Sequence, residues 1–235
     1  MAEHPAEVAE ITSHSQALAL NLGNITDVRM ESMPKSLETA SRLRIPVMLD
    51  LVGTACSNLR YEFAQRLMSI HMPKLLKGNM SELLAMSGQT AHAIGIDAGT
   101  QDVLTNDNRS RLKDLFQKKA AQWNTTLLIT GKEDMVISTN KCAFITNGTS
   151  SMSQITGTGC MLGMICATYL AVADPFTAAL SAATEFGIAG EKAEKNSSGP
   201  GSFQIELFDQ FYKLTEQDIN LSLIHISEPT RRTPI

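Results

Sequence analysis

Short, continuously apolar runs alternate with longer stretches in which apolar residues recur at helical spacing. The runs at 17–22 (ALALNL), 45–49 (IPVML) and 125–129 read as buried strands, and 74–76 as a shorter one. Residues 27–44 carry Val28, Met30, Met33, Leu37, Ala40 and Leu43 on one side, the pattern of an amphipathic helix. Further helices fit 61–69, 79–87 and 110–121. Residues 135–138 and 142–146 read as a hairpin. From Gly159 onward the chain reads as helical, at 159–172, 175–194 and 202–215, with NSSGPG at 196–201 as a loop. Strands apolar on both faces and alternating with helices predict an α/β fold. Its mostly parallel sheet is covered by helices on both faces, with the hairpin as an antiparallel edge. In such sheets ligands sit at the carboxyl ends of the strands. That singles out residues 21–23, 50–53, 77–79, 130–131 and the loop at 156–159.

Composition narrows the function classes. Of 235 residues, 43% are apolar and 19% charged, which suits a packed core and disfavours disorder, a collagen-like chain or a coiled coil. Lys and Arg number 20 against 24 Asp and Glu, a net charge of -4, so the footprint of a nucleic-acid binder is missing. An anion would have to be held by local devices: a helix start, a glycine loop, one or two bases. Cys56, Cys142, Cys160 and Cys166 form no CxxC pair and no zinc spacing, and are too sparse for a disulfide scaffold. Reduced thiols in a cytoplasmic protein are the default. The start, MAEHPAEVAEI, lacks the charged-then-apolar organisation of a signal peptide. The most apolar run, 161–173, is shorter than the about 20 residues of a membrane span and reads as a buried helix.

The strand ends and the glycine loop carry the candidate chemistry. Thr156-Gly157-Thr158-Gly159-Cys160 stands directly before a long apolar helix. Glycines let backbone N–H groups converge and the helix start adds partial positive charge, which makes an anion cradle; the alternative is a flexible turn with Thr as N-cap. Neither the Rossmann fingerprint nor a Walker Gly-Lys-Ser/Thr is present. Cys160 falls in the first helical turn, where thiolate is favoured and could take a proton from a substrate hydroxyl, or it is a small buried hydrophobe. Asn79-Met80-Ser81-Glu82 fits a capping box, or a carboxylate that holds Mg²⁺-bound water near phosphates. Lys77 supplies positive charge beside it, unless it is simply solvated. Asp50 closes a buried strand and can reach a metal or a substrate, or cap the following turn. Arg60 is a second phosphate base or an exposed arginine.

Together these segments resemble a known family. NLGNIT at 21–26, IPVMLDLVG at 45–53, KGNMSEL at 77–83, LLITGKED at 127–134, ITGTGC at 155–160 and GPGSFQIELFD at 199–209 follow the order of hydroxyethylthiazole kinases, members of the ribokinase-like superfamily. The resemblance spans residues 1–220. It implies a ribokinase-like fold and ATP-dependent phosphorylation of the hydroxyl of 4-methyl-5-(2-hydroxyethyl)thiazole, in thiamine biosynthesis and salvage. Carried over by position, Cys160 matches the catalytic residue. Lys77, Thr130 and Gly159 match nucleotide-binding positions, and Met1 and Gly157 match substrate contacts. Asp50 and Glu82 match the acidic positions associated with Mg²⁺ and phosphate. The implied partners are the thiazole alcohol and ATP, with no nucleic acid and no membrane, in a homotrimer whose sites lie between subunits.

The sequence also departs from the family. Lys77 stands where relatives often have Arg, keeping the charge but not the bidentate fork. Leu51 replaces the proline of a DPVG pattern, which predicts a looser loop. Relatives carry an upstream strand and an H-x-I-T-N segment, so 1–220 reads as a kinase domain lacking its N-terminal segment. LSLIHISEPTR at 221–231 reverse-translates to a transposase adapter of sequencing libraries, so 221–235 reads as a non-native tail. Competing readings are another ribokinase-like activity, such as a pyrimidine kinase or an ATP-dependent hydrate dehydratase, and a non-catalytic fragment. Relatives in the superfamily carry Asp at the Cys160 position, which together with GPGSFQ argues against the first.

Overall fold

The apolar runs become a six-stranded sheet in the computed structural model, which describes residues 2–92, 99 and 102–222. After a short helix α1 (Val8–Ser13), the strands β1 (Leu18–Asn21), β2 (Val47–Asp50), β3 (Leu75–Asn79) and β4 (Thr126–Thr130) lie side by side in chain order, all parallel. The hairpin β5 (Asp134–Ile137) and β6 (Cys142–Ile145) continues the sheet antiparallel from β4. This is the predicted architecture, including the antiparallel edge.

Side chains alternate across each strand, and both faces are buried. Leu20, Leu49, Leu76, Leu127, Ile129 and Met135 point into one core with Leu37, Phe63, Leu83 and Phe116. These last four come from α2 (Asp27–Leu43), α3 (Asn58–Ile70), α4 (Met80–Met86) and α5 (Arg109–Trp123). Met48, Leu75, Leu128, Val136 and Ile145 point the other way. They meet Leu162, Cys166, Ala182, Phe186 and Phe203 from α6 (Thr158–Leu170), α7 (Pro175–Asn196) and α8 (Pro200–Tyr212). Two-sided burial is why the strands read as unbroken apolar runs. Helix ends follow local chemistry. The Thr26 hydroxyl accepts the Arg29 amide at the start of α2, and Asp174 accepts the Phe176 and Thr177 amides at the start of α7, with Pro175 at the first helical position.

Among the described residues, elements beyond those the pattern predicts include α1, a 3₁₀ turn at Ser150–Gln154, and α9 (Glu216–Ser222). α1 buries only Val8 and Thr12, and the 3₁₀ turn buries nothing, so neither has an apolar stripe to detect. The expected boundary at 220/221 falls inside α9, and residues 223–235 of the expected tail lie outside the described residues. Among the described residues no helix is long and apolar enough to cross a membrane.

Candidate active site

Parallel pairing sets the polar strand ends in a row. Asn21 pairs with Asp50, Asp50 with Lys77, and Asn79 with Thr130. Asp50, Lys77 and Thr130 each lie two residues beyond a member of the core under α6, so alternation turns their side chains toward that helix. The apolar pattern ends β3 at 76 because polar residues follow. The strand in fact runs through Lys77 to Asn79, and its polar end is the part that faces the site.

Lys77 and Asp50 form a buried ion pair, Nζ to Oδ2 at 2.9 Å. Asn21 donates its amide to the same Oδ2 at 3.2 Å, and the Val52 N–H donates to Oδ1 at 3.2 Å. Burial pushes the Asp50 carboxyl up against the pull of Lys77. Burial would lower Lys77, but the charges of Asp50 and then Glu82 outweigh it and hold the ammonium above its ordinary value. The solvated alternative for Lys77 does not hold, since only 5% of the residue is exposed.

α6 comes down directly on this pair. A Cβ at Gly159 would lie 3.1 Å from Lys77 Nζ, and one at Gly163 would lie 3.0 Å from Met48 Cε and 3.4 Å from Asp50 Oδ2. Glycine at both positions is what lets the helix start sit so low over the strand ends. The N-cap is Gly157, at φ 96, and no side chain caps the helix. Thr158 instead donates its hydroxyl to the Met152 carbonyl, so the reading with Thr as N-cap is not realised. The first-turn amides therefore have no side-chain acceptor, as an anion cradle requires. Cys160, third residue of α6, is exposed rather than buried, and close enough to Lys77 for its charge to be felt there.

Glu82 realises the capping box in full. Asn79 Oδ1 accepts the Glu82 amide at 2.9 Å, and Glu82 Oε2 accepts the Asn79 amide at 2.7 Å. Its other oxygen, Oε1, accepts the Gly53 amide at 2.7 Å and so ties α4 to the loop after β2. Burial pushes this carboxyl up to about 7, with the Asn79 and Gly53 amides opposing. Gly53 has φ 81, and a Cβ there would meet Arg60 Cδ at 2.8 Å. Arg60 is half-buried. It donates to the Leu22 carbonyl at 2.9 Å and the Gly23 carbonyl at 3.3 Å, tying the start of α3 to the segment after β1. Leu51 is fully buried and donates its N–H to the Lys77 carbonyl at 2.8 Å. Proline has no such donor, so this bond offsets the loosening expected from its loss.

The structure thus brings together Asp50, Lys77, Gly157, Gly159, Cys160 and, one strand over, Thr130, whose hydroxyl donates to the Gly78 carbonyl at 3.4 Å. Glu82 stands behind them, holding the Gly53 loop. Met1 lies outside the described residues. Asn21 falls among the strand-end residues that the sequence singles out, without a role assigned to it; Gly163 has none in the sequence reading and shows its part only once the helix is docked.

The model of the hydroxyethylthiazole kinase family matches residues 1–217. Among curated proteins, hydroxyethylthiazole kinase 2 of Clostridium botulinum (strain Hall) is 39% identical over 227 residues, covering 97% of this chain and 85% of the relative. The hydroxyethylthiazole kinase of Methanosarcina mazei is 35% identical over 220 residues, covering 93% of this chain and 82% of the relative. Among solved structures, the hydroxyethylthiazole kinase protein of Pyrococcus horikoshii OT3 superposes with a TM-score of 0.82 at 30% identity, over 94% of this chain and 80% of that one. A ribokinase-like superfamily protein of Enterococcus faecalis V583 shares the fold at a TM-score of 0.59 and 15% identity, over 88% of this chain and 66% of that one. With the strand-end row, the uncapped glycine turn and Cys160 in one place, and relatives matching over nearly the whole length, the chain belongs to the hydroxyethylthiazole kinase family.

Proposed function

We propose that this protein transfers the γ-phosphoryl group of ATP to the side-chain hydroxyl of 4-methyl-5-(2-hydroxyethyl)thiazole, feeding thiamine biosynthesis. The observation that carries the reading is the buried Lys77–Asp50 pair set directly under the glycine-started helix α6, with Gly159 against the ammonium. Phosphoryl transfer needs positioning and charge stabilisation more than covalent chemistry. The γ-phosphate rests on the first-turn amides of α6, and Lys77 neutralises charge from below. The hydroxyl oxygen uses a lone pair to bond phosphorus, the bond to the bridging oxygen breaks, and ADP leaves with that electron pair. Cys160, exposed at the mouth of the cradle, takes the hydroxyl proton and passes it to solvent. Thr130 and Gly159 contact ATP; Gly157 and Met1 contact the thiazole.

Mg²⁺ fits this site in one manner. The oxygens of Asp50 and Glu82 already accept hydrogen bonds, and among the described residues no group of three or more His, Cys, Asp or Glu could hold a metal alone. Each Glu82 oxygen keeps a spare lone pair, which suits a cation that retains its waters and is carried mainly by phosphates. Mg²⁺ would be held through water by Glu82 and Asp50, and would screen the phosphate charge. The protein assembles as a homotrimer with its sites between subunits and works in the cytoplasm. Purified protein incubated with ATP, Mg²⁺ and hydroxyethylthiazole should release ADP in step with a thiazole phosphate detected by mass spectrometry. ADP release without that product, or no release, would sink the assignment.

A further inference from the structure

The strand-end row continues one strand further than the residues considered so far. β5 runs antiparallel to β4, so its first residue, Asp134, lies at the carboxyl edge of β4. Two residues on, Val136 belongs to the core under α6 to α8, which turns Asp134 to the same face as Lys77 and Thr130. Asp134 Oδ1 accepts the Gly131 amide at 2.9 Å and so closes the turn that follows Thr130. No cation among the described residues lies within ion-pair distance of this carboxyl. Burial pushes it up to about 7, opposed by the Gly131 amide and by the charge of Lys77. An unpaired carboxyl is a poor direct ligand for a polyanion. Among the described residues the Asp134 side chain has one hydrogen bond, to the turn.

We propose that Asp134 is a positioning residue for the nucleotide: by holding the Gly131 amide it fixes the β4–β5 turn, so that Thr130 and the backbone after it meet ATP in one orientation. The inference rests on the reading that Thr130 contacts ATP. The surroundings separate this role from a stabilising one. Gly131 and Lys132 are exposed, and the β4–β5 register is carried by Leu127 with Ile137, Leu128 with Val136 and Ile129 with Met135. Releasing the turn should therefore leave the sheet intact and blur only the nucleotide contact.

The test compares Asp134→Ala with Asp134→Asn, which keeps an oxygen for the Gly131 amide. Gly131→Pro removes the same hydrogen bond from the donor side at an exposed position, after a residue already in extended conformation, and reports even if Asp134→Ala does not fold. Steady-state kinetics give KM and kcat for ATP and for the thiazole. Binding of a fluorescent N-methylanthraniloyl ATP gives Kd without turnover, so the result for Asp134 does not depend on which alcohol is phosphorylated. Asp134→Ala and Gly131→Pro should each raise KM and Kd for the nucleotide by about tenfold, the scale of one lost hydrogen bond, with thiazole KM and melting temperature close to wild type. Asp134→Asn should stay within about threefold of wild type. Nucleotide affinity unchanged in Asp134→Ala or Gly131→Pro, or Asp134→Asn as impaired as Asp134→Ala, would overturn the proposal while leaving the kinase assignment standing.

Discussion

Glu82→Gln tests the electrostatics of the site through folding stability. Glu82 is 4% exposed and accepts one backbone amide on each carboxylate oxygen, from Asn79 and from Gly53. Glutamine has one carbonyl oxygen, so it can accept one of these amides while its NH₂ faces the other, donor against donor. That loss costs about 1–3 kcal/mol at any pH. The pH-dependent part is separate. The carboxyl has its folded-state pKa pushed to about 7 from an ordinary 4.5. The folded chain therefore keeps a proton that the unfolded chain has already released between those values, and stability must fall as pH rises through that window. Below 4.5 both states are protonated and above 7 both are ionised, so the curve flattens at either end. At about 1.4 kcal/mol per pH unit the window is worth about 3 kcal/mol in all, of which about 2.5 falls between pH 5 and pH 8.

Urea denaturation of both proteins at pH 5, 6, 7 and 8, at one ionic strength, gives the comparison. Asp134, also pushed up to about 7, adds a similar slope to both proteins and cancels in the difference. The stability deficit of the glutamine variant at pH 5 should shrink by about 2.5 kcal/mol by pH 8, because only the wild type carries the ionisation cost. If the two curves run parallel, with a gap constant to within about 0.5 kcal/mol, the extrapolation error, then Glu82 does not titrate there and the burial argument is wrong.

Other changes probe the site directly. Glu82→Gln should also raise the Mg²⁺ concentration needed for half-maximal activity, and a titration that overlays wild type would leave Glu82 with its capping role alone. Gly159→Val places a branched side chain against Lys77 Nζ and over the first-turn amides, and should lower kcat/KM of the folded protein by about 100-fold or more; retained activity would refute the cradle. Cys160→Asp should keep or raise activity, since a first-turn carboxylate is favoured by the helix start by about 0.3–1 kcal/mol and can take the same proton; a dead enzyme would show that the thiol is specifically needed. Lys77→Met should cost about 3–5 kcal/mol by stranding Asp50, and adding Asp50→Leu should recover most of that stability but no activity. Denaturation midpoints and ADP release measured on the same samples decide it.

The sheet is legible because two-sided burial writes each strand as a continuous apolar run, and the helices because one face of each meets a core. The strand-end rule locates Asp50, Lys77 and Thr130 without any family knowledge, since polar residues that end buried strands have few other reasons to be there. What the sequence does not show is pairing. Asp50 and Lys77 are 27 positions apart, and nothing local says that parallel register sets them side by side with Nζ on Oδ2. Glu82 reads as a capping box from its spacing, and is one, but its second bond to Gly53 crosses 29 positions and appears only when α4 docks beside β2. The bonds of Arg60 are not legible either, because a surface helix gives no hint that two backbone carbonyls after β1 lie within its reach. Asp134 escapes notice because it opens a hairpin, where an acidic residue looks like turn chemistry.

A buried ion pair is weak evidence for stability, because desolvating both charges can cost more than their attraction returns, and well-packed apolar residues of similar size often do as well or better. The neighbouring strand positions show that this sheet accepts such residues: Met48 and Leu75, two residues before Asp50 and Lys77 on the same face, are buried and apolar. Charge at the strand ends therefore calls for a reason other than folding. The geometry supplies one. Asp50 is held by Asn21, Lys77 and the Val52 amide, so it cannot swing away, and Lys77 is fixed with Gly159 against its ammonium. An anion seated on the start of α6 meets a cation that needs no reorganisation to receive it, in surroundings where a fixed charge acts more strongly than in water. The glycines at 159 and 163 make that approach short enough to matter. On this reading the stability cost is confined to the place where phosphate charge must be stabilised, and removing both charges together should give a protein that regains most of its stability and transfers nothing.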